Sequence, residues 1–258
     1  MRRRTFLQAA LTAFASAPGV GASQAATKPA RVLFIGNSLT YANNLPAMID
    51  ALVTESGGEM TSRTIAFPDF GLEEHWNDGR AMRALREGTW TLVVLQQGPS
   101  SLPESRVVLR DYTNRFARVA KDRGAQVALF SVWPPFDFAQ GKPRPRAFAF
   151  DAVTESYRLA AQDVGGTVVP AGEAMRAALG RDPALPLFDA DGFHPSPVGS
   201  YLAALVFFQR ITGQSPATTL PPSQSSRGAL RALRITAPQV KILQDAAADA
   251  TAAPGKND

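Results

Sequence analysis

Apolar residues along the chain fall by turns into short continuous runs and into stretches with helical spacing. The first continuous run is Arg31 to Gly36 (RVLFIG). From about Leu45 to Ser56 the apolar positions repeat with a helical period. A second strand is expected near Thr61 to Phe67 and a helix over Asn77 to Arg86. The run LVVLQ, Leu92 to Gln96, reads as a buried strand. Ser105 to Arg123 sets Val108, Leu109, Tyr112, Phe116 and Val119 at helical spacing, with arginines on the opposite, solvated face. Ala125 to Val132 predicts a fourth strand, Phe148 to Val164 a helix, and Thr167 to Val169 a short fifth strand. Pro197 to Ile211 predicts a long apolar helix.

Strands that alternate with helices and are apolar throughout imply a parallel sheet covered on both faces. The expected fold class is therefore α/β. Its catalytic or binding residues are sought just beyond the carboxyl ends of the strands, where open parallel sheets bind ligands. No internal repeat is present. From Gly213 onward the chain is rich in Pro, Ser, Thr and Ala, and one or two helices are expected around Arg227 to Ala248. Residues 214–258 are read as a C-terminal tail with a helical segment and a disordered end.

Composition adds limits. The 258 residues are 45% hydrophobic and 19% charged, which suits one globular domain with a full core. There is no cysteine, so disulfides, thiolate metal ligation and a cysteine nucleophile are excluded. Met1 to Ala26 has a basic start, a short apolar stretch interrupted by Pro18, and small residues before Ala25 and Ala26. These are features of a secretory signal peptide, and Arg3-Arg4-Thr5-Phe6-Leu7 looks like the twin-arginine export motif. A periplasmic or secreted location is expected. The formal charge of +5 falls to about +2 once Arg2, Arg3 and Arg4 are removed with that segment. So weak a basic balance argues against nucleic acid as a partner. No later apolar run is long enough for stable membrane insertion.

Beyond the strand ends lie Gly36-Asn37-Ser38, Pro68 to Gly71, Gln96-Gln97-Gly98, Trp133 to Phe136, and Asp189 to Ser196. Ser38 sits at a strand-to-helix turn, where backbone N–H groups can face a developing anion. A serine in such a place also serves as an ordinary turn or cap residue. His194 changes the weighing, because a serine nucleophile needs a base. Asp191 stands three residues earlier, with Gly192 between them to allow a turn, so its carboxylate can orient the imidazole. Pro195 turns His194 away from helical geometry, and Ser196 reads as an N-cap with Pro197 in the first turn. A plain turn with a capping aspartate would show the same DGFHP string. No GxSxG, GxGxxG or P-loop pattern is present.

The loop Trp133 to Arg146 (WPPFDFAQGKPRPR) is either a stiff surface connection or a substrate-shaping loop. His75 reads as a helix-start histidine or as a contact on the rim of the site. No cofactor is expected. Two histidines without cysteine do not form a recognisable transition-metal site, so no metal is expected either.

The ordered blocks resemble the SGNH/GDSL hydrolase superfamily. FIGNSLT (Phe34 to Thr40) resembles its first block, with Asn37 in place of the usual aspartate. Gly71 stands where the second block has its glycine, and DGFHPSPVGSYLAA (Asp191 to Ala204) resembles the last. The third block departs, since Gln96-Gln97-Gly98 replaces the usual asparagine motif. The resemblance covers roughly Arg31 to Gly213 and implies a catalytic domain over residues 28–213. It also implies a three-layer α/β/α sandwich with a flavodoxin-like, five-stranded parallel sheet.

The activity it implies is that of a serine ester hydrolase with a Ser38–His194–Asp191 triad. Its oxyanion hole would comprise the Ser38 and Gly71 N–H groups and a glutamine amide. Gln96 is favoured as that donor because it directly follows the apolar run; Gln97 is its competitor and otherwise a substrate contact, with His75 and Trp133. The implied substrate is a small ester or an acylated carbohydrate, from which short acyl groups, acetyl above all, are removed. A polysaccharide O-acyltransferase on the same fold and a non-catalytic binding module are the alternatives.

Overall fold

A computed structural model describes residues 29–137, 142–143 and 149–252. The expected signal peptide and the last six residues lie outside the described residues, as does most of the Trp133–Arg146 loop beyond Asp137. Five strands form one parallel sheet: β1 (Ala30–Gly36), β2 (Met60–Ala66), β3 (Leu92–Leu95), β4 (Gln126–Phe130) and β7 (Thr167–Val169). Their order is β2-β1-β3-β4-β7, the doubly wound order in which the chain reverses direction beside β1. A two-residue antiparallel pair, β5 (Phe136–Asp137) with β6 (Lys142–Pro143), stands apart from this sheet.

Val32, Leu33, Phe34 and Ile35 of β1 are all fully buried, which accounts for the continuous apolar run. Side chains of a strand alternate between faces, so both faces of β1 must be covered. On one side lie α2 (Leu45–Glu55), α7 (Ala171–Arg181), α8 (Pro197–Thr212) and α10 (Ala237–Ala252). On the other lie α4 (Arg80–Glu87), α5 (Pro103–Asp122) and α6 (Phe150–Asp163). The structure is thus the expected three-layer α/β/α sandwich. Helix α8 is buried from Val198 through Phe208, so its sequence is apolar all round instead of striped. Phe207 packs edge-on against both Phe34 and Phe130, joining α8 to the middle of the sheet. Each such large side chain contributes about 1.5–3 kcal/mol by leaving water. Among the described residues, no helix is long and apolar enough to cross a membrane.

The structure differs from the sequence pattern in three places. The helix expected over Asn77 to Arg86 is two helices, α3 (Leu72–Asp78) and α4, separated at Gly79. Gly79 has φ 80°, a left-handed conformation that ends a helix without a Cβ penalty. Helix α7 is absent from the expected series; its alanines and two glycines give little apolar contrast. Finally, the segment read as a tail is part of the domain. After the short helix α9 (Gly228–Arg231), α10 packs on α7 and α8 and buries Val240, Leu243, Ala246 and Ala247. Arg181 pairs with Asp249, and Thr251 bonds Gln209, across the same contact.

Candidate active site

The turn after β1 is built by side chains that hold its backbone. Asn37 is the N-cap of the short helix α1 (Ser38–Tyr41), and its Oδ1 accepts from Leu39 N–H at 3.1 Å. Its Nδ2 donates to the Phe70 carbonyl at 3.1 Å, a bond that a carboxylate in this position could not make. Ser38 is the first residue of α1, so its N–H has no carbonyl of its own helix to bond. Gly36 must be glycine, since a Cβ there would lie 2.3 Å from Thr40 Oγ1 and 2.4 Å from Gln96 Oε1.

The second part comes from the loop before α8. Asp191 Oδ1 accepts from the N–H groups of Phe193 at 2.8 Å and His194 at 2.9 Å, which folds the turn around its own carboxylate. Asp191 Oδ2 lies 2.6 Å from His194 Nδ1, and His194 Nε2 lies 2.9 Å from Ser38 Oγ. Partial burial raises the Asp191 pKa, but the His194 ring and the two N–H donors outweigh it and hold the carboxyl below its ordinary value. Asp191 is therefore ionised at neutral pH. Asn43, with φ 52°, anchors the loop from the far side by donating to Pro195 O at 2.7 Å and Ser200 Oγ at 2.9 Å. Ser196 caps α8 through Val198 N–H and Gly199 N–H, as its place before Pro197 predicts.

The structure brings Ser38, His194 and Asp191 into one chain of hydrogen bonds. An open cleft of about 380 Å³ beside Ser38 is lined in part by Asn37, Gly71, Glu74, Gln97 and Phe193. Three of the expected contacts lie elsewhere. Gln96 is fully buried. Its Oε1 accepts from Asn37 N–H and the Thr40 hydroxyl, both at 2.7 Å. Its Nε2 donates to Asn37 Oδ1 at 2.9 Å and Gln97 O at 2.8 Å. Both amide hydrogens are spent, so Gln96 has none to offer an oxyanion, and the favoured assignment is corrected. Gln97 lines the cleft instead. Its Oε1 accepts from Leu72 N–H at 3.2 Å, while Nε2 donates to Ser100 Oγ at 2.9 Å and, more weakly, to Ser105 O at 3.4 Å.

His75 is also fully buried, so it touches no substrate. It packs against Phe67 and Phe70, and its Nε2–H donates to Gly36 O at 2.7 Å. Burial pushes its pKa below the ordinary value, although the Gly36 bond and the nearby Asp78 and Glu74 charges oppose this. Neutral His75 thus ties α3 to the end of β1. Trp133 is buried between Phe130 and Phe188, and its Nε1–H donates to Phe193 O at 2.9 Å. It supports the His194 loop from behind and does not line the cleft. Gly71 does line it, as the N-cap of α3, but Glu74 Oε2 accepts its N–H at 2.8 Å. Sequence reasoning passed over Glu74 and Asn43. The signal for Glu74 was its place three residues after an N-cap, the spacing at which a glutamate reaches back.

The comparison that decides the family is with a protein from Slackia heliotrinireducens assigned to the SGNH hydrolases. The two are 30% identical, with 70% of this chain and 98% of that one covered and a TM-score of 0.59. The chain belongs to the SGNH hydrolase superfamily. By that membership it is an ester-bond hydrolase of the SGNH/GDSL type. A DUF4886 family protein from Bacteroides uniformis shares the fold over 87% of this chain and 95% of its own, at TM-score 0.70 and 19% identity. An acetyl xylan esterase from Geobacillus stearothermophilus shares it over 72% and 96%, at TM-score 0.56 and 14% identity. No family model matches the sequence, and no curated protein matches it.

Proposed function

We propose that this SGNH hydrolase is an exported serine esterase that removes short acyl groups, acetyl above all, from a carbohydrate or other small ester. The observation that carries the reading is the contact of His194 Nε2 with Ser38 Oγ at 2.9 Å, with Asp191 on the other ring nitrogen. His194 takes the Ser38 proton as Oγ bonds the ester carbonyl carbon, and Asp191 holds the imidazole in the tautomer with the proton on Nδ1. The carbonyl oxygen becomes an oxyanion, met by Ser38 N–H and Gly71 N–H, with Gln97 rather than Gln96 as the side-chain donor. The long Gln97 bond to Ser105 O is the one that such a donor would give up. Collapse breaks the bond to the alcohol, which leaves with the proton from His194. Water, deprotonated by His194, then releases the acyl group as its acid and restores Ser38.

The acetyl preference draws on the acetyl xylan esterase among the fold relatives. Export draws on the sequence of residues 1–26. Purified Ser38→Ala is expected to lose p-nitrophenyl acetate hydrolysis and labelling by a fluorophosphonate. Equal activity of variant and wild type would overturn the reading. A panel of acetyl, butyryl and octanoyl esters with acetylated sugars tests the substrate class.

A further inference from the structure

We infer that Glu74 sets substrate specificity: its carboxylate occupies the Gly71 N–H that the oxyanion requires, and hydroxyl groups of a polyol substrate draw it away. This rests on the ester hydrolase reading above. Gly71 N–H has one hydrogen, and Glu74 Oε2 accepts it at 2.8 Å. Residue and amide both line the cleft that contains Ser38. One N–H cannot serve a carboxylate and an oxyanion at full strength, and two anions sharing it repel each other. Attack at the full rate therefore requires the Glu74 side chain to leave.

The side chain is free to do so. Glu74 is exposed and, among the described residues, makes no ion pair; the Gly71 amide is its one side-chain hydrogen bond. Its neighbour Glu73 differs, since it accepts from the Tyr112 hydroxyl at 2.9 Å. Among the described residues lining the cleft, Asp69, Glu73 and Glu74 are the charged ones, and there is no lysine or arginine. The wall therefore presents anionic acceptors with no cationic side chain of the lining to neutralise them. A sugar or another polyol brings several hydroxyl donors beside the acyl carbonyl. One of them, donating to Glu74, replaces Gly71 N–H as the partner of the carboxylate while the ester carbonyl takes the amide. An aryl acetate has no hydroxyl to offer, so it meets an amide that is already engaged.

The test compares wild type, Glu74→Ala and Glu74→Gln. The first readout is the rate of Ser38 labelling by an uncharged alkyl fluorophosphonate, and the second is kcat/KM on p-nitrophenyl acetate and on acetylated xylose. Loss of a single oxyanion donor typically costs ~100- to 1000-fold, so partial release of one is expected to speed labelling and aryl acetate hydrolysis of E74A about tenfold. The acetylated sugar should gain less, so the ratio of sugar to aryl acetate turnover falls. E74Q keeps a capping oxygen without the charge and should change in the same direction by a smaller factor. Unchanged or slower labelling in both variants would overturn the inference. A lower Tm with no change in rate would make Glu74 a helix cap only, which also overturns it. If Ser38 is labelled in none of the three proteins, the ester hydrolase reading fails and this inference with it.

Discussion

Gln96 and Asn37 are joined by a pair of hydrogen bonds, one in each direction. Asn37 N–H donates to Gln96 Oε1 at 2.7 Å, and Gln96 Nε2 donates to Asn37 Oδ1 at 2.9 Å. The residue next to Ser38 is thereby fixed from the residue that follows β3, 59 positions away in sequence. Gln96→Ala would strip the acceptor from Asn37 N–H and from the Thr40 hydroxyl. An unsatisfied buried group costs about 1–3 kcal/mol, so the variant is expected to lose stability by at least that much. Urea melts beside steady-state kinetics check this. A loss of kcat with unchanged stability would return Gln96 to the role of an oxyanion donor.

Asp191 binds both the ring of His194 and the backbone of the turn that presents it. Asp191→Asn keeps an oxygen for the backbone bonds but lacks the charge that stabilises the imidazolium. Turnover of p-nitrophenyl acetate is expected to fall on the order of 10³- to 10⁴-fold, with little change in KM. Unchanged turnover would remove Asp191 from the mechanism.

His75 gives the protein an acid-sensitive element. Burial lowers its folded-state pKa below the ordinary 6.5, so the unfolded chain binds the proton more tightly. The stabilisation is fully present above about pH 6.5 and is lost as pH falls through the folded value. Protonation would place a charge between Phe67 and Phe70, where Nδ1 has no partner. Wild type should therefore lose Tm between pH 7 and pH 5 more steeply than His75→Phe, which cannot titrate. Parallel Tm curves for the two proteins would show that His75 is not the sensitive group.

Helix α10 is integral to the domain. Leu243 is fully buried where α10 lies on α7 and α8, and Leu243→Ala should destabilise the protein by about 2–5 kcal/mol. Chemical denaturation measures this directly. A change below about 0.5 kcal/mol, the range of ordinary surface substitutions, would show that the segment is an appendage.

The sequence by itself determined the layered architecture and the triad candidates. Continuous apolar runs in β1 and β3 require cover on both faces, and that pattern is local. Asp191 and His194 are three residues apart, so their pairing is a local event as well. Ser38 was legible because strand ends in such a sheet converge on one edge. Only the tertiary structure decided which way neighbouring polar side chains point. Gln96 and Gln97 are the same residue type at adjacent positions, and pattern alone could not show that the first braces the turn that carries Ser38 while the second lines the cleft. His75 stands just after Gly71 and Trp133 just after the fourth strand, and those positions suggested contacts with a substrate. Their partners, Gly36 O and Phe193 O, are 39 and 60 residues distant and exist only in the folded chain. The same holds for α10, whose weak apolar stripe has a partner only once α7 and α8 are packed together.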